Sequence, residues 1–287
     1  MYEQTQQDLK DFRTQMSDFW KRIPDDAWHQ KTGTRDKDWT LHQLLAHCLS
    51  IAQVLNKAAN LALKNEDLTV RNFDNRDQFG DWNVREIERL TKVPSNGLIV
   101  QFLQELRIAY EILLKITPDN AENVATVPQF SRPAPAIQYL QSQLSHMGVI
   151  HGAQAVFPLG REPLWIDFSP EFTQRVIGHY LNQWSLAYWL EEGADEAQII
   201  NFHINGNDGG NWHIRTSPDG ATSSNGIIEG GDYDLFFDHP HTFFGVFTNY
   251  LSIRQAMVNG NMRIASDVRD TLNMLKLFAP KRPKRAS

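Results

Sequence analysis

The feature that most restricts this chain's fold is a change in hydrophobic spacing near Pro158. Before it, apolar residues recur every three or four positions, the signature of helices with one buried stripe. After it, stretches alternate strictly, as half-buried strands do. One layer type cannot serve both grammars. The spacing therefore predicts an all-α part followed by an α+β part with an antiparallel sheet.

The helical part reads in order. Leu9, Phe12, Met16, Phe19 and Ile23 mark a first helix over Tyr2–Ile23, closed by Pro24. Thr40 is a candidate N-cap for a second helix, Leu41–Leu63. A connection of over thirty residues follows, too long for a plain loop, with a short helix expected over Asn83–Leu90. A third long helix is predicted over Leu98–Ile116, a loop over Thr117–Pro135, and a fourth helix over Ala136–Phe157. Four long helices with one crossover predict an up-and-down-like bundle.

Beyond Pro158 a fifth helix, Pro170–Glu192, is expected to bridge to the second part. QIINFHING, NWHIRT, GIIEG and DYDLFFD read as strands, with turns at NGNDGG and SPDG. Helices near His241–Tyr250 and Ser252–Val258, a strand in NMRIAS, and a capped helix over Asp267–Phe278 complete the module. The expected domains are 1–165, 166–280 and a basic disordered tail, 281–287, carrying Lys281, Arg282, Lys284 and Arg285.

Composition narrows the function classes. A hydrophobic share of 41% excludes wholesale disorder. A net charge of −6 leaves no basic surface for nucleic acid as a main partner. No apolar run reaches the roughly 18 residues that a membrane span needs. The single cysteine, Cys48, cannot close an internal disulfide, and the polar start MYEQTQQDLKDF is unlike a targeting segment. Together these predict a cytoplasmic protein.

Chemistry concentrates in the histidines. His47 lies mid-helix in LLAHCLSIAQ and His151 in the fourth helix in SHMGVIHGAQ. Imidazoles facing inward from different helices are how bundles hold divalent metals. Cys48 adjoins His47 but points about 100° away on an ideal helix, toward the apolar stripe, and reads as a buried structural thiol. His239 and His241 read as a turn before a capped helix. His203 and His213 fall on the polar faces of predicted strands. Phe236, Phe237, Phe243, Phe244 and Phe247 read as core, with the lining of an apolar-ligand cavity as the rival reading.

DWTLHQLLAH, FGDWNVREIERL and HGAQ resemble the DinB-like metal-binding bundle, and within it the mycothiol-dependent maleylpyruvate isomerase branch. That branch joins the bundle to a sterol-carrier-like domain. GNWHIRTSPDG, GGDYDLFFDHPHTFFGVF and VNGNMRIASDVRDTLNMLKLF resemble such a domain. The resemblance implies His47 and His151 as metal ligands, but its third ligand falls on Met147, a poor donor for zinc. His146 is the substitute. Five residues before His151, it lies about 140° round an ideal helix and needs a π-bulge, eased by Gly148, to reach the same ion. Gln154, one turn beyond His151 and on the same face, is a weak neutral donor expected beside the ligands and not on the ion. Arg254 and Arg263 resemble basic residues that related proteins place near the domain interface; holding a carboxylate substrate is one reading of them, and ordinary surface pairing is the other.

The function so implied is a divalent-metal-dependent, low-molecular-weight-thiol-using transferase or isomerase of small electrophilic metabolites. A second reading stays open: a non-catalytic small-molecule or lipid-binding protein with a degenerate metal site. The sequence sets neither the thiol nor the oligomeric state.

Overall fold

The computed structural model describes residues 2–32, 39–193 and 196–279 of the chain. The basic tail over 281–287 lies outside the described residues. The chain divides into two units, one of Met1–Pro128 with Pro133–Leu164, the other of Gln129–Arg132 with Trp165–Ser287. The small exchange has a hydrogen-bonding cause. Ser131 N donates to Leu186 O at 2.8 Å and Arg132 Nε to Ala221 O at 3.0 Å, tying that short segment into the second unit.

The first unit is helical. Helix α1, Tyr2–Lys21, buries Leu9, Phe12, Met16 and Phe19 on the stripe read from the sequence. Helix α2, Leu41–Ala62, starts on a capping box: Thr40 accepts from Gln43 N, and the Gln43 side chain accepts from Thr40 N. Most of its residues are buried because it packs against α3, Phe79–Leu90, α4, Ser95–Leu113, and α5, Ala136–Gln143. Helix α1 covers α4. Strands β1, Val124–Ala125, and β2, Ala134–Pro135, pair antiparallel within the stretch expected to be loop. The start of α3, four residues before the predicted one, follows a 3₁₀ turn capped by the Asn75 side chain.

The predicted fourth helix is continuous but not uniform. After α5 it becomes a π-helix over Leu144–Ile150, then α-helical again as α6, His151–Val156. His151 N donates to His146 O, five residues back. Gly148 permits the local fit: a Cβ there would stand 2.7 Å from Phe12 Cε2, so α1 closes on the π segment only because none is present.

The second unit builds a five-stranded sheet in the order β5-β4-β3-β6-β7. The strands are β3, Gln198–Ile204, β4, Gly210–Ser217, β5, Gly220–Asn225, β6, Tyr233–Phe237, and β7, Met262–Ile264. Ile200, Phe202, Ile204, Trp212, Ile214, Leu235 and Phe237 are buried, as alternation requires of one face. Helix α7, Pro170–Leu186, packs on β4 and β5 and belongs to this unit. It stops short of the predicted Glu192 because Trp189 is drawn away, its backbone N donating to Leu277 O and its Nε1 to Ala279 O. Helices α8, Pro240–Phe247, α9, Ile253–Val258, and α10, Val268–Leu275, follow, capped by His239, Ser252 and Asp267.

Two expectations need correcting. The sheet is mixed, since β3 and β6 pair in parallel while the other pairs are antiparallel. GIIEG is not a strand but part of the connection that carries the chain from β5 to β6. Gly226 and Gly230 there take φ of +86° and +73°, which end a ladder. Asn201, on β3, holds this connection at both backbone groups of Ile228, accepting from its N and donating to its O, each at 3.0 Å. The real strand, GATSSN, is small and polar on an edge, so no hydrophobic alternation announced it.

Candidate metal centre

Three elements of the first unit bring His47, His146 and His151 together: α2, the π segment and the start of α6. His146 Nε2 lies 2.9 Å from His151 Nε2 and 3.4 Å from His47 Nε2. One nitrogen from each ring falls within 4.8 Å of those of the other two. His47 and His151 are buried and His146 is half-buried. The π turn achieves this: its wider winding brings residues five apart onto one face, which an α-helix would place far around its axis.

The protons can be assigned from the partners. His47 Nδ1 is 2.6 Å from Asn83 Oδ1, and His151 Nδ1 is 2.8 Å from Gln154 Oε1. An amide oxygen only accepts, so each Nδ1 carries the hydrogen and each Nε2 presents a lone pair. Two lone pairs thus converge on the third ring nitrogen, and a single hydrogen on His146 Nε2 can serve only one of them. A cation at the centre serves all three. Zinc–nitrogen bonds of about 2.0–2.1 Å in tetrahedral array place donor atoms about 3.3–3.4 Å apart. The His146–His47 pair at 3.4 Å matches that spacing, the His146–His151 pair at 2.9 Å is shorter, and all three donor atoms lie within 4.8 Å of one another. The donor set fits a borderline divalent ion with at least one further position for an outside ligand.

Trp39 flanks the cluster, its ring centroid 4.7 Å from that of His47 and 6.5 Å from that of His151. Met147, where the family resemblance puts a ligand, is 2% exposed and packed in the core. Asn83 is the residue that sequence reasoning missed as part of the site. It is fully buried beside Trp82, Ile87 and Leu90 on the apolar side of α3. A lone amide among apolar positions of an amphipathic helix was the available signal, because a buried polar group needs a partner.

Arg254 and Arg263 lie in the second unit. Arg263 stacks over the Phe236 ring at 3.8 Å, and Phe236 in turn stacks on His203 at 4.2 Å. His203 also meets Asp234 at 3.0 Å. His213 Nδ1 bonds Gly226 O, so the two strand histidines have separate partners. His239 Nδ1 accepts from His241 N as a helix cap. Phe237, Phe243, Phe244 and Phe247 pack edge-on against one another and Tyr180, whereas Phe236 lies on the opposite face of the sheet.

Cys48 is 1% exposed, and burial pushes its thiol well above the ordinary range. A neutral, inaccessible thiol is not a nucleophile. In native protein, a disulfide-exchange reagent is expected to label far less than one thiol per chain over an hour, and in denaturant about the full one. Rapid native labelling contradicts this assignment.

No family model matches the chain. No curated protein sequence matches it either. Among solved structures, it is similar to mycothiol-dependent maleylpyruvate isomerase, with 13% identity, 85% of this chain and 88% of that chain covered, and a TM-score of 0.55. A histidine-to-alanine variant of that enzyme matches with the same coverage, 12% identity and a TM-score of 0.56. The chain shares that enzyme's fold across most of both molecules.

Proposed function

We propose that this protein is a divalent-metal-dependent enzyme that uses a low-molecular-weight thiol to isomerise or transfer to small electrophilic metabolites. In this reading the first unit is a DinB-like bundle and the second a sterol-carrier-like module. The observation that carries it is the convergence of three imidazole nitrogens from α2, the π segment and α6. The fold shared with mycothiol-dependent maleylpyruvate isomerase supports the thiol and the reaction class.

His47, His151 and His146 would hold the ion, with Asn83 and Gln154 retaining the Nδ1 protons. When bound, the ion supplies the Lewis acidity that lets a thiol ligate as thiolate near neutral pH. Trp39 packs as an apolar wall beside the ligand rings. The buried state of Cys48 leaves the nucleophile to come from outside. For an alkene conjugated to a carbonyl, addition of the thiolate forms a C–S bond and moves the π electrons toward oxygen. Rotation about the resulting single bond and expulsion of the same thiolate return the other isomer, with no co-reactant consumed.

The test is to load purified protein with zinc and assay maleylpyruvate isomerisation with mycothiol, glutathione or bacillithiol. Turnover that requires both thiol and ion, and that a chelator removes, is the expected result. Zinc-loaded protein that binds none of the three thiols overturns the reading.

A further inference from the structure

The two buried imidazoles share a feature beyond their convergence. Each is anchored through Nδ1 by a side-chain amide oxygen, Asn83 Oδ1 on His47 and Gln154 Oε1 on His151. Ligand histidines are commonly anchored by carboxylates, which raise the basicity of the ring and add negative charge beside the ion. An amide fixes the same tautomer and ring orientation without adding charge. Three neutral imidazoles, two of them with amide anchors, leave a divalent ion's charge largely undiminished. The position remaining to an outside ligand then favours an anion. Asn83 is held deep within the first unit. Its Nδ2 is buried and has no acceptor among the described residues, although the side chain is fully enclosed. A buried donor without an acceptor is costly, so the amide oxygen that holds His47 is fixed in place by its surroundings and not by a bond at Nδ2.

We propose that Asn83 and Gln154 are positioning residues that tune this centre for an anionic ligand, a thiolate or carboxylate, by orienting His47 and His151 while withholding negative charge. This rests on the metal-centre reading above and specifies what that centre binds.

The experiment uses full-length protein with cobalt(II) in place of zinc and thiocyanate as the anion probe, followed by visible absorption. Two variants, Asn83→Asp and Gln154→Glu, exchange the amide for a carboxylate of nearly the same shape. Each is expected to hold cobalt roughly tenfold more tightly and thiocyanate roughly tenfold more weakly than the wild type. These opposite shifts are a signature that loss of packing cannot give, since damage weakens both. Gln154 is only half-buried, so its variant serves if Asn83→Asp does not fold. Cobalt retained with thiocyanate affinity unchanged or increased overturns the inference alone. Failure of wild-type protein to take up cobalt overturns the metal centre, and the inference with it.

Discussion

His47→Ala is expected to reduce bound zinc from close to one ion per chain to a residual level, while far-ultraviolet circular dichroism stays near that of the wild type. The ring supplies one of three donors, and it is the one anchored from a separate helix, so two donors on neighbouring turns remain. Disturbing a group that merely orients a ligand costs about 10–100-fold in affinity, and removing the ligand itself exceeds that range. The substitution also strips Asn83 Oδ1 of the hydrogen it accepts, leaving a fully buried amide with no bond on either end among the described residues. That adds an expected stability loss of about 1–3 kcal/mol, read as a lower midpoint in urea. Elemental analysis of protein purified without chelator or affinity tag measures the ion. A variant that keeps about one zinc per chain removes His47 from the ligand set.

The second large effect separates His146 from Met147. His146→Ala is expected to empty the centre as His47→Ala does. Adding Met147→Glu to that variant is expected not to restore the ion, although the family resemblance puts a ligand at this position. The reason is the π register. Residue 151 bonds back to residue 146 rather than 147, which turns Met147 into the core at 2% exposure. A carboxylate there is buried among apolar groups and costs several kcal/mol, so the double variant is also expected to unfold at lower denaturant. Recovery of zinc in the double variant contradicts the π-register account and places the third ligand where a regular α-helix would put it.

The legibility of this chain followed where its information lies. The stripe of α1, the Thr40 cap of α2 and the alternation of β3 and β4 are written in local hydrophobic spacing, and the structure follows them within a few residues. Strand β5 was illegible because GATSSN gains its strand geometry from pairing with β4, not from an apolar face of its own. The parallel β3–β6 pair was equally hidden. It depends on how a connection turned by glycines crosses the sheet, a choice made by tertiary contacts such as those of Asn201 with Ile228. At the candidate metal centre, the spacing of His146 and His151 showed what deformation their convergence demands, and the structure contains that π segment. The role of Asn83 required knowing that α3 packs beside α2, which no local pattern in FGDWNVREIERL encodes.

The central claim is that three imidazoles take one ion through Nε2. X-ray absorption at the zinc edge, on thiol-free protein loaded with one equivalent, tests it most directly. Three nitrogen donors with imidazole outer-shell scattering at about 2.0–2.1 Å and no sulfur shell near 2.3 Å is the predicted spectrum. A sulfur contribution from Met147 or Cys48, or fewer than three imidazoles, would contradict it.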